Sequence, residues 1–292
     1  MKHFLKLEGF SRNDAREILA SAQQHKAKRG EASSLLKGQT WALLFSKPST
    51  RTRVSFEVAV RELGGGSFFL SSQDIQLGRG EIIIDTARVL GRMVHGAIIR
   101  TFDQADVEDF AQASGISTVN ALTDEEHPCQ ILADIFTFEE KRGSIQGKKI
   151  AFIGDADCNV ARSWVHAAGI FDFQLICAAP EDFQSSICNA NTSLVTDPAE
   201  AAQDADMLYT DVWVSMGKES ETARRVKIFK NYQINEALLS HAQEDALVMH
   251  CLPAYRGKEI TESVLEKHAK DIFDQAENRL HVQKAILEWL VK

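Results

Sequence analysis

Short apolar runs alternate with longer amphipathic segments along the first half of the chain. Residues 40–45 have the composition of a buried strand, residues 96–99 are predicted to form another, and two further short strands are predicted at residues 67–70 and 117–121. The intervening segments repeat their apolar residues at helical spacing, as at residues 11–27, where Ser11 is the expected N-cap. Strands that alternate with helices predict a parallel sheet that is covered by helices.

The alternation starts again after residues 141–144, which we predict to contain a domain boundary. Four further strands are predicted: residues 149–153, 175–178, 207–210 and 246–249. The predicted fold is therefore α/β, with two doubly wound parallel-sheet domains at residues 1–140 and 141–276. Residues 277–292 are amphipathic, and we predict a C-terminal helix that packs back on the first domain.

Residues 47–53 follow the first predicted strand directly and contain no acidic side chain. They combine three cations with three hydroxyl groups: Lys47, Ser49, Thr50, Arg51, Thr52 and Arg53. A helix that starts here offers unpaired backbone N–H groups and the positive end of its dipole. This combination predicts an anion site that is best suited to phosphate. The alternative is an ordinary capped helix start, which is the usual interpretation of an isolated Ser-Thr-Arg.

Arg100 and His127 also come just after predicted strands. His127 immediately precedes Pro128, which suits the first turn of a helix. Because ligands of parallel α/β sheets bind beyond the carboxyl ends of the strands, Arg51, Arg100 and His127 can converge on one crevice. A helix cap with no further role is the alternative for His127.

Composition and net charge indicate which kinds of binding partner are unfavourable for this chain. The 292 residues are 44% hydrophobic and 25% charged, as in ordinary globular proteins. The net charge of −8 disfavours nucleic acid or an anionic membrane as the main partner. Five cysteines without zinc or redox spacing predict reduced thiols in a cytoplasmic protein. The amino terminus lacks the apolar core of a signal peptide, and no apolar run approaches membrane-spanning length.

Three segments of the second domain carry weaker signals. Gly154-Asp155 ends a strand, but the Gly-x-Gly-x-x-Gly pattern of a dinucleotide site is absent. The loop at residues 211–217 offers a carboxylate and a hydroxyl group that could hold an ammonium group, although alone it would be an ordinary loop. His250 and Cys251 could form a nucleophilic pair, but adjacent residues on an extended chain point to opposite faces. A buried structural Cys251 is the default interpretation.

Four motifs occur together in one order along the chain. They are Ser49-Thr50-Arg51-Thr52-Arg53, His127-Pro128-Cys129-Gln130, Asp211-Val212-Trp213-Val214-Ser215-Met216-Gly217 and His250-Cys251-Leu252-Pro253. In this order and approximate spacing, the chain closely resembles the aspartate/ornithine transcarbamoylase family, in its ornithine-using branch. The resemblance extends from the amino terminus to the carboxyl terminus.

The resemblance implies two sets of ligand residues. For carbamoyl phosphate it implies Ser49, Thr50, Arg51, Thr52, Gln76, Arg100, His127, Gln130, Cys251, Leu252 and Arg279. For L-ornithine it implies Asn159, Asp211, Ser215 and Met216. The catalytic residues would be Arg100, His127, Cys251 and Arg279. The Leu252–Pro253 peptide bond would be cis.

The resemblance also implies an assembly and a reaction. Family members are typically built on homotrimers or multiples of trimers, in which a loop like residues 74–81 would bring Gln76 to a neighbouring subunit's site. A neutral amine would attack the carbamoyl carbon, while cations and hydrogen-bond donors stabilise the developing oxyanion and the leaving phosphate. The substrates would be held together in a closed crevice between the domains, and no cofactor or catalytic metal is expected.

Two alternatives to carbamoyl transfer to ornithine remain open. A sister activity on putrescine would need no recognition of an α-carboxylate, and the segment Ser215-Met216-Gly217 favours ornithine. A catalytically silent paralogue would only bind the anion. The presence of Arg51, Arg100, His127 and Cys251 argues against it.

Two features depart from the family pattern. Cys158 replaces the first residue of a usual Asn-Asn pair, although Asn159 keeps the ligand position. Residues 178–195 are shorter than in many relatives, which predicts that a helix of the second domain is trimmed or lost. We expect this difference to affect stability and domain closure before chemistry.

Overall fold

The computed structural model describes residues 1–71, 80–214 and 219–292, without the side chain of residue 219. The chain forms two compact units. Unit 1 contains Met1–Ala133 and Asn278–Lys292, and unit 2 contains Asp134–Glu277. The first boundary lies earlier in the chain than the predicted one after residue 140.

Within the described residues, unit 1 contains a four-stranded sheet in which all neighbouring strands are parallel. The strands are β1 (Thr40–Phe45), β2 (Gly66–Ser71), β3 (Gly96–Arg100) and β4 (Ser117–Leu122), in the order β2-β1-β3-β4. β3 and β4 are buried along their whole length, although Ser117, Thr118 and Asn120 of β4 are polar. All four strand predictions in this unit are confirmed to within one residue at each end.

Helices connect and cover these strands. They are α1 (Arg12–Ala27), α2 (Thr50–Glu62), α3 (Ile83–Leu90), α4 (Gln104–Ser114) and α5 (Pro128–Arg142). The predicted cap of α1 is confirmed, because the Ser11 hydroxyl accepts a hydrogen bond from the Asp14 N–H at 3.4 Å. The buried face of α1 is also the predicted one: Ala15, Ile18, Leu19 and Ala22.

Within the described residues, unit 2 contains a five-stranded parallel sheet. Its strands are β5 (Lys149–Ile153), β6 (Gln174–Ala178), β7 (Thr192–Val195), β8 (Met207–Thr210) and β9 (Leu247–His250), in the order β7-β6-β5-β8-β9. Its helices include α6 (Asn159–Phe171), α7 (Pro198–Ala202), α8 (Thr222–Phe229), α9 (Glu236–Leu239) and α10 (Glu262–Lys267). The strand order reverses between β1 and β3 in one sheet and between β5 and β8 in the other, as in doubly wound sheets. The predicted fold class is confirmed.

The last helix, α11 (Ala269–Val291), begins earlier than the predicted start at residue 277. Its final part belongs to unit 1 and is fastened there by polar contacts. The Trp289 indole donates a hydrogen bond to Asp14 at 3.0 Å, and Lys284 pairs with Glu62 at 3.0 Å. Since Asp14 lies in α1 and Glu62 in α2, the carboxyl-terminal helix packs on the first domain, as predicted.

Strand β7 is the element that sequence patterning missed. It has four residues, lies at the edge of its sheet beside β6 and is only partly buried, so it lacks the apolar run of an interior strand. Between β6 and β7, a described stretch, the only helical element is a 3₁₀ turn at Glu181–Phe183. The short connection that was noted in the sequence therefore contains no α-helix.

Candidate active site

The turn between β1 and α2 forms a helix start with open donors. Ser49 is the N-cap of α2, and its hydroxyl accepts a hydrogen bond from the Thr52 N–H at 3.2 Å. The first turn of α2 contains no acidic residue. The positive end of the helix dipole is therefore not neutralised by a carboxylate within the helix, which suits an anionic ligand.

The three cations of this turn have different surroundings. The Lys47 side chain is 3% exposed and pairs with Asp124. Arg53 pairs with Glu57 at 2.9 Å, and its guanidinium lies 3.8 Å from the centre of the Phe69 ring. Within the described residues, the Arg51 side chain makes no hydrogen bond or ion pair. Arg51 is therefore the cation of this turn that remains available to a ligand.

Arg100, His127 and Arg279 surround this helix start with buried polar groups. Their side chains are 5% exposed or less. A guanidinium nitrogen of Arg279 donates a hydrogen bond to the Thr52 hydroxyl at 2.7 Å, which joins the end of the chain to α2. Burial, with the nearby charges of Arg279 and Arg100, holds the pKa of His127 well below its usual value. His127 is thus a neutral imidazole beside two guanidinium groups.

Strand ends explain how these residues meet. The Ser46 N–H donates to the Arg100 carbonyl oxygen at 2.8 Å, so the residues that follow β1 and β3 are neighbours. Helix α5 begins directly after His127, and Gln130 is completely buried in its first turn. We name Ser49, Thr50, Arg51, Thr52, Arg100, His127, Gln130 and Arg279 the basic cluster.

Asp211 and Cys251 meet in unit 2 because their strands are adjacent. Thr210 and His250 are partners in the β8–β9 pair, so the next residues of both strands emerge side by side. The Cys251 thiol donates a hydrogen bond to Asp211 Oδ1 at 2.8 Å. Burial, together with the charge of Asp211, raises the pKa of Cys251 well above its usual value. Burial also raises the pKa of Asp211.

His250 lies beside this contact, with Nδ1 4.0 Å from the Cys251 sulfur, but both of its ring nitrogens make closer contacts elsewhere. Nδ1 accepts the Leu252 N–H at 2.8 Å, and Nε2 lies 3.2 Å from Glu259, which also accepts the Tyr255 N–H at 2.5 Å. The tautomer that satisfies both contacts carries its proton on Nε2. The Leu252–Pro253 peptide bond is cis, as predicted, and Leu252 has a positive φ of 59°. We name Asp211, His250, Cys251 and Glu259 the thiol cluster.

The thiol cluster also contains donors of the kinds that bind metals. Single donor atoms of Asp211, His250 and Cys251 lie within 4.8 Å of one another. Both imidazole nitrogens of His250 are, however, engaged by hydrogen bonds within the protein. We therefore assign these side chains to hydrogen bonding around the Cys251 thiol.

Three predicted ligand residues lie outside the described residues: Ser215 and Met216 in the second half of the chain, and Gln76 in the first. Asn159 is the first residue of α6, where the preceding Cys158 is the N-cap. Burial, followed by the charge of Asp211, raises the pKa of Cys158, so the start of α6 lies within electrostatic reach of the thiol cluster.

Arg225 is a buried residue that the sequence did not single out. Its side chain is 4% exposed and donates to Asp155 at 2.7 Å, to Glu221 at 2.8 Å and to the Trp213 carbonyl oxygen at 3.1 Å. It thereby joins the turn after β5 to residues near the end of β8. The acid at an i−4 spacing from Arg225 was visible in the sequence, whereas the contacts with Asp155 and Trp213 depend on the tertiary fold.

Both halves of the chain match one protein family. Residues 2–140 match the carbamoyl-P binding domain of aspartate/ornithine carbamoyltransferase, and residues 146–290 match its Asp/Orn binding domain. The chain therefore belongs to the aspartate/ornithine carbamoyltransferase family, and the resemblance inferred from the four motifs is confirmed.

Individual relatives place the chain within that family. The ornithine carbamoyltransferase of Akkermansia muciniphila is 56% identical over 99% of this chain and 98% of its own length. That of Syntrophus aciditrophicus is 48% identical over 99% of both chains. The solved structure of ornithine carbamoyltransferase from Pyrococcus furiosus has a TM-score of 0.93 at 42% identity, over 99% of this chain and 97% of that one.

Among the described residues, no helix is both long and apolar enough to cross a bilayer.

Proposed function

We propose that the chain transfers the carbamoyl group of carbamoyl phosphate to the δ-amine of L-ornithine and releases L-citrulline and phosphate. The observation that carries this proposal is the basic cluster, in which a neutral imidazole lies beside two guanidinium groups at a helix start whose Arg51 has no partner among the described residues. Family membership supports the same reaction, because the relatives from Akkermansia muciniphila and Syntrophus aciditrophicus are named ornithine carbamoyltransferases.

The basic cluster binds carbamoyl phosphate in this proposal. The open N–H groups of α2 and the side chains of Ser49, Thr50, Arg51 and Thr52 hold the phosphate. Arg100, His127 and Gln130 hold the carbamoyl end. Arg279 acts from beside Thr52, to which it donates a hydrogen bond at 2.7 Å. Further proposed ligands of carbamoyl phosphate are Gln76, Cys251 and Leu252.

The neutral state of His127 matters for the chemistry. An imidazole that carried a proton beside Arg100 and Arg279 would add a third positive charge to a buried site. Its lowered pKa instead leaves a neutral imidazole, which can donate one N–H to the carbamoyl oxygen. Two guanidinium groups remain to stabilise the oxyanion and the leaving phosphate.

The thiol cluster binds the amino-acid substrate in this proposal. Asp211, with Asn159, Ser215 and Met216, recognises the α-amino and α-carboxylate groups of ornithine. Cys251 and the Leu252 carbonyl lie beside the reacting amine. The raised pKa of Cys251 keeps its thiol protonated, so it acts as a hydrogen-bonding group and not as a nucleophile.

The reaction balances without an intermediate bound to the protein. The lone pair of the neutral δ-amine attacks the carbamoyl carbon, and a C–N bond forms while the C=O π electrons move to oxygen. The C–O bond to phosphate then breaks, and the carbonyl is restored. The attacking nitrogen loses one proton, which the leaving phosphate can accept. The residues of the basic cluster stabilise the negative charge that develops on the carbamoyl oxygen and on the leaving phosphate.

A steady-state assay of citrulline formation tests the proposed function. We expect product from carbamoyl phosphate plus ornithine, and a much lower rate when putrescine replaces ornithine. A higher rate with putrescine would reassign the acceptor. Folded protein that binds a phosphonoacetyl bisubstrate analogue without turnover would instead identify a catalytically silent paralogue.

We also propose a homotrimer, or a multiple of trimers, in the cytoplasm. The trimer follows the family's typical assembly, with the loop of Gln76 shared between subunits, and light scattering should give three times the mass of one chain or a multiple of it. The five free cysteines, of which Cys188 is exposed, support a reducing compartment. Fractionation of the native cells tests this location.

A further inference from the structure

Lys47 is the most buried of the three cations in the turn before α2. Its side chain is 3% exposed and forms an ion pair with Asp124, whose own side chain is 60% exposed. Taking an ammonium group out of water is unfavourable unless an opposite charge compensates it. The contact with Asp124 supplies that charge, so the Lys47 ammonium is already paired before any ligand arrives.

Lys47 contacts a third loop through an aromatic ring. Its ammonium nitrogen lies 4.3 Å from the centre of the Phe102 ring, within the range of a cation–π interaction. Lys47 follows β1, Phe102 follows β3 and Asp124 follows β4. One ammonium group on the segment after β1 thus contacts the segments that follow β3 and β4.

Backbone hydrogen bonds link the same three segments. The Ser46 N–H donates to the Arg100 carbonyl oxygen at 2.8 Å, and the Asp124 N–H donates to the Phe102 carbonyl oxygen at 2.8 Å. Arg51 lies four residues after Lys47, Arg100 two residues before Phe102 and His127 three residues after Asp124. A change at the Lys47 contact would therefore alter the relative positions of all three.

We propose that Lys47 is a positioning residue for carbamoyl phosphate, which acts through Asp124 and Phe102 and makes no direct contact with the phosphate. The proposal rests on the proposed function, because it concerns the same ligand. It assigns to Lys47 the role of fixing the segments of β1, β3 and β4 so that Arg51, Arg100 and His127 face one ligand.

The competing interpretation is that Lys47 binds the phosphate directly, and an Asp124→Asn variant separates the two. If Lys47 positions the segments, loss of the Asp124 carboxylate should raise the KM for carbamoyl phosphate about tenfold, because small displacements of binding groups weaken a pre-organised site. If Lys47 is a phosphate ligand, Asp124→Asn should leave this KM unchanged or lower it, because a competing anion has been removed.

Lys47→Met and the double variant complete a double-mutant cycle. We expect Lys47→Met to raise the KM for carbamoyl phosphate by about tenfold, and we expect the double variant to be no worse than Lys47→Met alone, since both changes break one contact. The KM for ornithine should stay within about twofold of the wild-type value. Additive losses in the double variant would contradict a shared role.

Lys284→Met is the matched control. Lys284 is also a buried lysine of unit 1 in an ion pair, with Glu62 at 3.0 Å, but it lies in α11, and Glu62 is the last residue of α2, eleven residues after Arg51. We expect it to lower the melting temperature without changing the KM for carbamoyl phosphate. An equal rise of this KM in Lys284→Met would show that Lys47 acts only through general stability.

Calorimetry with inorganic phosphate makes the test independent of the acceptor substrate. Wild-type turnover with carbamoyl phosphate and ornithine is measured first, and its absence would count against the proposed function alone. The dissociation constant for phosphate is then compared among wild type, Asp124→Asn and Lys47→Met. We expect both variants to weaken phosphate binding about tenfold. Unchanged or tighter binding by Asp124→Asn would overturn the positioning role.

Discussion

The basic cluster and the thiol cluster use the same architecture for opposite electrostatics. Each lies where segments leave the carboxyl ends of parallel strands, next to the point at which the strand order reverses. The basic cluster offers guanidinium groups and the start of α2. The thiol cluster offers a carboxylate and a protonated thiol, with the burial of Asp211 and Cys251 raising both pKa values. The sheet fixes where a ligand binds, and the side chains beyond its strands decide which charge it carries.

A buried cation fastens the surroundings of each cluster. Lys47 joins segments of unit 1 through Asp124 and Phe102. Arg225 joins segments of unit 2 through Asp155 and the Trp213 carbonyl oxygen. The two cations differ in their contacts. The planar guanidinium of Arg225 donates several hydrogen bonds in fixed directions, whereas the Lys47 ammonium forms an ion pair with Asp124 and a cation–π contact with the Phe102 ring. The basic cluster should therefore be the easier of the two to disturb by a single substitution.

The largest effect should come from Arg51→Ala. Its side chain is unpaired within the described residues, so the substitution removes a ligand contact without breaking an internal one. Loss of a charge-assisted hydrogen bond to phosphate should cost about 3 kcal/mol, or about a 100-fold rise in the KM for carbamoyl phosphate. Steady-state kinetics at saturating ornithine measures it, and an unchanged KM would contradict the assignment.

Arg53→Ala is the control for that prediction. Arg53 lies two residues further along the same helix, but its guanidinium is already occupied by Glu57 and the Phe69 ring. We expect the KM for carbamoyl phosphate to change by less than about threefold. Equal losses in the two variants would mean that overall positive charge, and not the position of Arg51, binds the phosphate.

Asp211→Asn should give the next largest effect, and on the other substrate. It removes the carboxylate that accepts the Cys251 thiol hydrogen bond and that recognises the ornithine amine in our proposal. We expect kcat/KM for ornithine to fall about 30-fold, which corresponds to about 2 kcal/mol, while the KM for carbamoyl phosphate changes little. Equal changes in both Michaelis constants would contradict the division of substrates between the two clusters.

The sequence predicted the fold well because interior strands of parallel sheets are continuous apolar runs. Residues 40–45 and 149–153 were placed without error for this reason. Strand β7 was not predicted, because its four residues lie at the sheet edge, are only partly buried and do not form a continuous apolar run. The start of α11 lies eight residues before the predicted one, and its signal was present in the sequence, because Ala269, Ile272 and Ala276 recur at helical spacing.

The pairing of the cationic side chains with acidic partners could be predicted from the sequence only in part. The pairing of Arg53 with Glu57 follows from their i,i+4 spacing on a helix and was visible in the sequence. The pairing of Lys47 with Asp124 joins residues 77 positions apart, and nothing local in the chain indicates it. Likewise, the contact of Cys251 with Asp211 required the order of β8 and β9.

Glu126 should make stability depend on pH near the basic cluster. It precedes His127, is 4% exposed and accepts hydrogen bonds from the Leu7 and Glu8 N–H groups at 2.7 and 3.3 Å. Burial raises its pKa from 4.5 to about 7, so between these values the folded state keeps a proton that the unfolded state releases. Its contribution to stability is thus present below pH 4.5 and is lost as the pH rises to about 7.

Urea unfolding of wild type and Glu126→Gln at pH 5 and pH 8 measures this contribution. We expect the wild-type protein to lose about 2–3 kcal/mol more than the variant between the two pH values. The exposed acid Glu31 provides the control, and Glu31→Gln should follow the wild-type dependence. Parallel curves for wild type and Glu126→Gln would show that Glu126 titrates normally in the folded protein.

Alkylation should show the smallest difference and tests the state of the thiol. Cys188 is exposed, whereas Cys251 is buried and donates its proton to Asp211. Because the thiolate is the reactive form, iodoacetamide at pH 8 should modify Cys188 at least about tenfold faster than Cys251, as measured by peptide mass spectrometry. The Asp211→Asn substitution removes a negative charge that helps to raise the pKa of Cys251, so Cys251 should react faster in this variant than in wild type. Equal rates for Cys188 and Cys251 in the wild-type protein would mean that a thiolate faces the substrate amine, and the thiol cluster would then be a nucleophilic site.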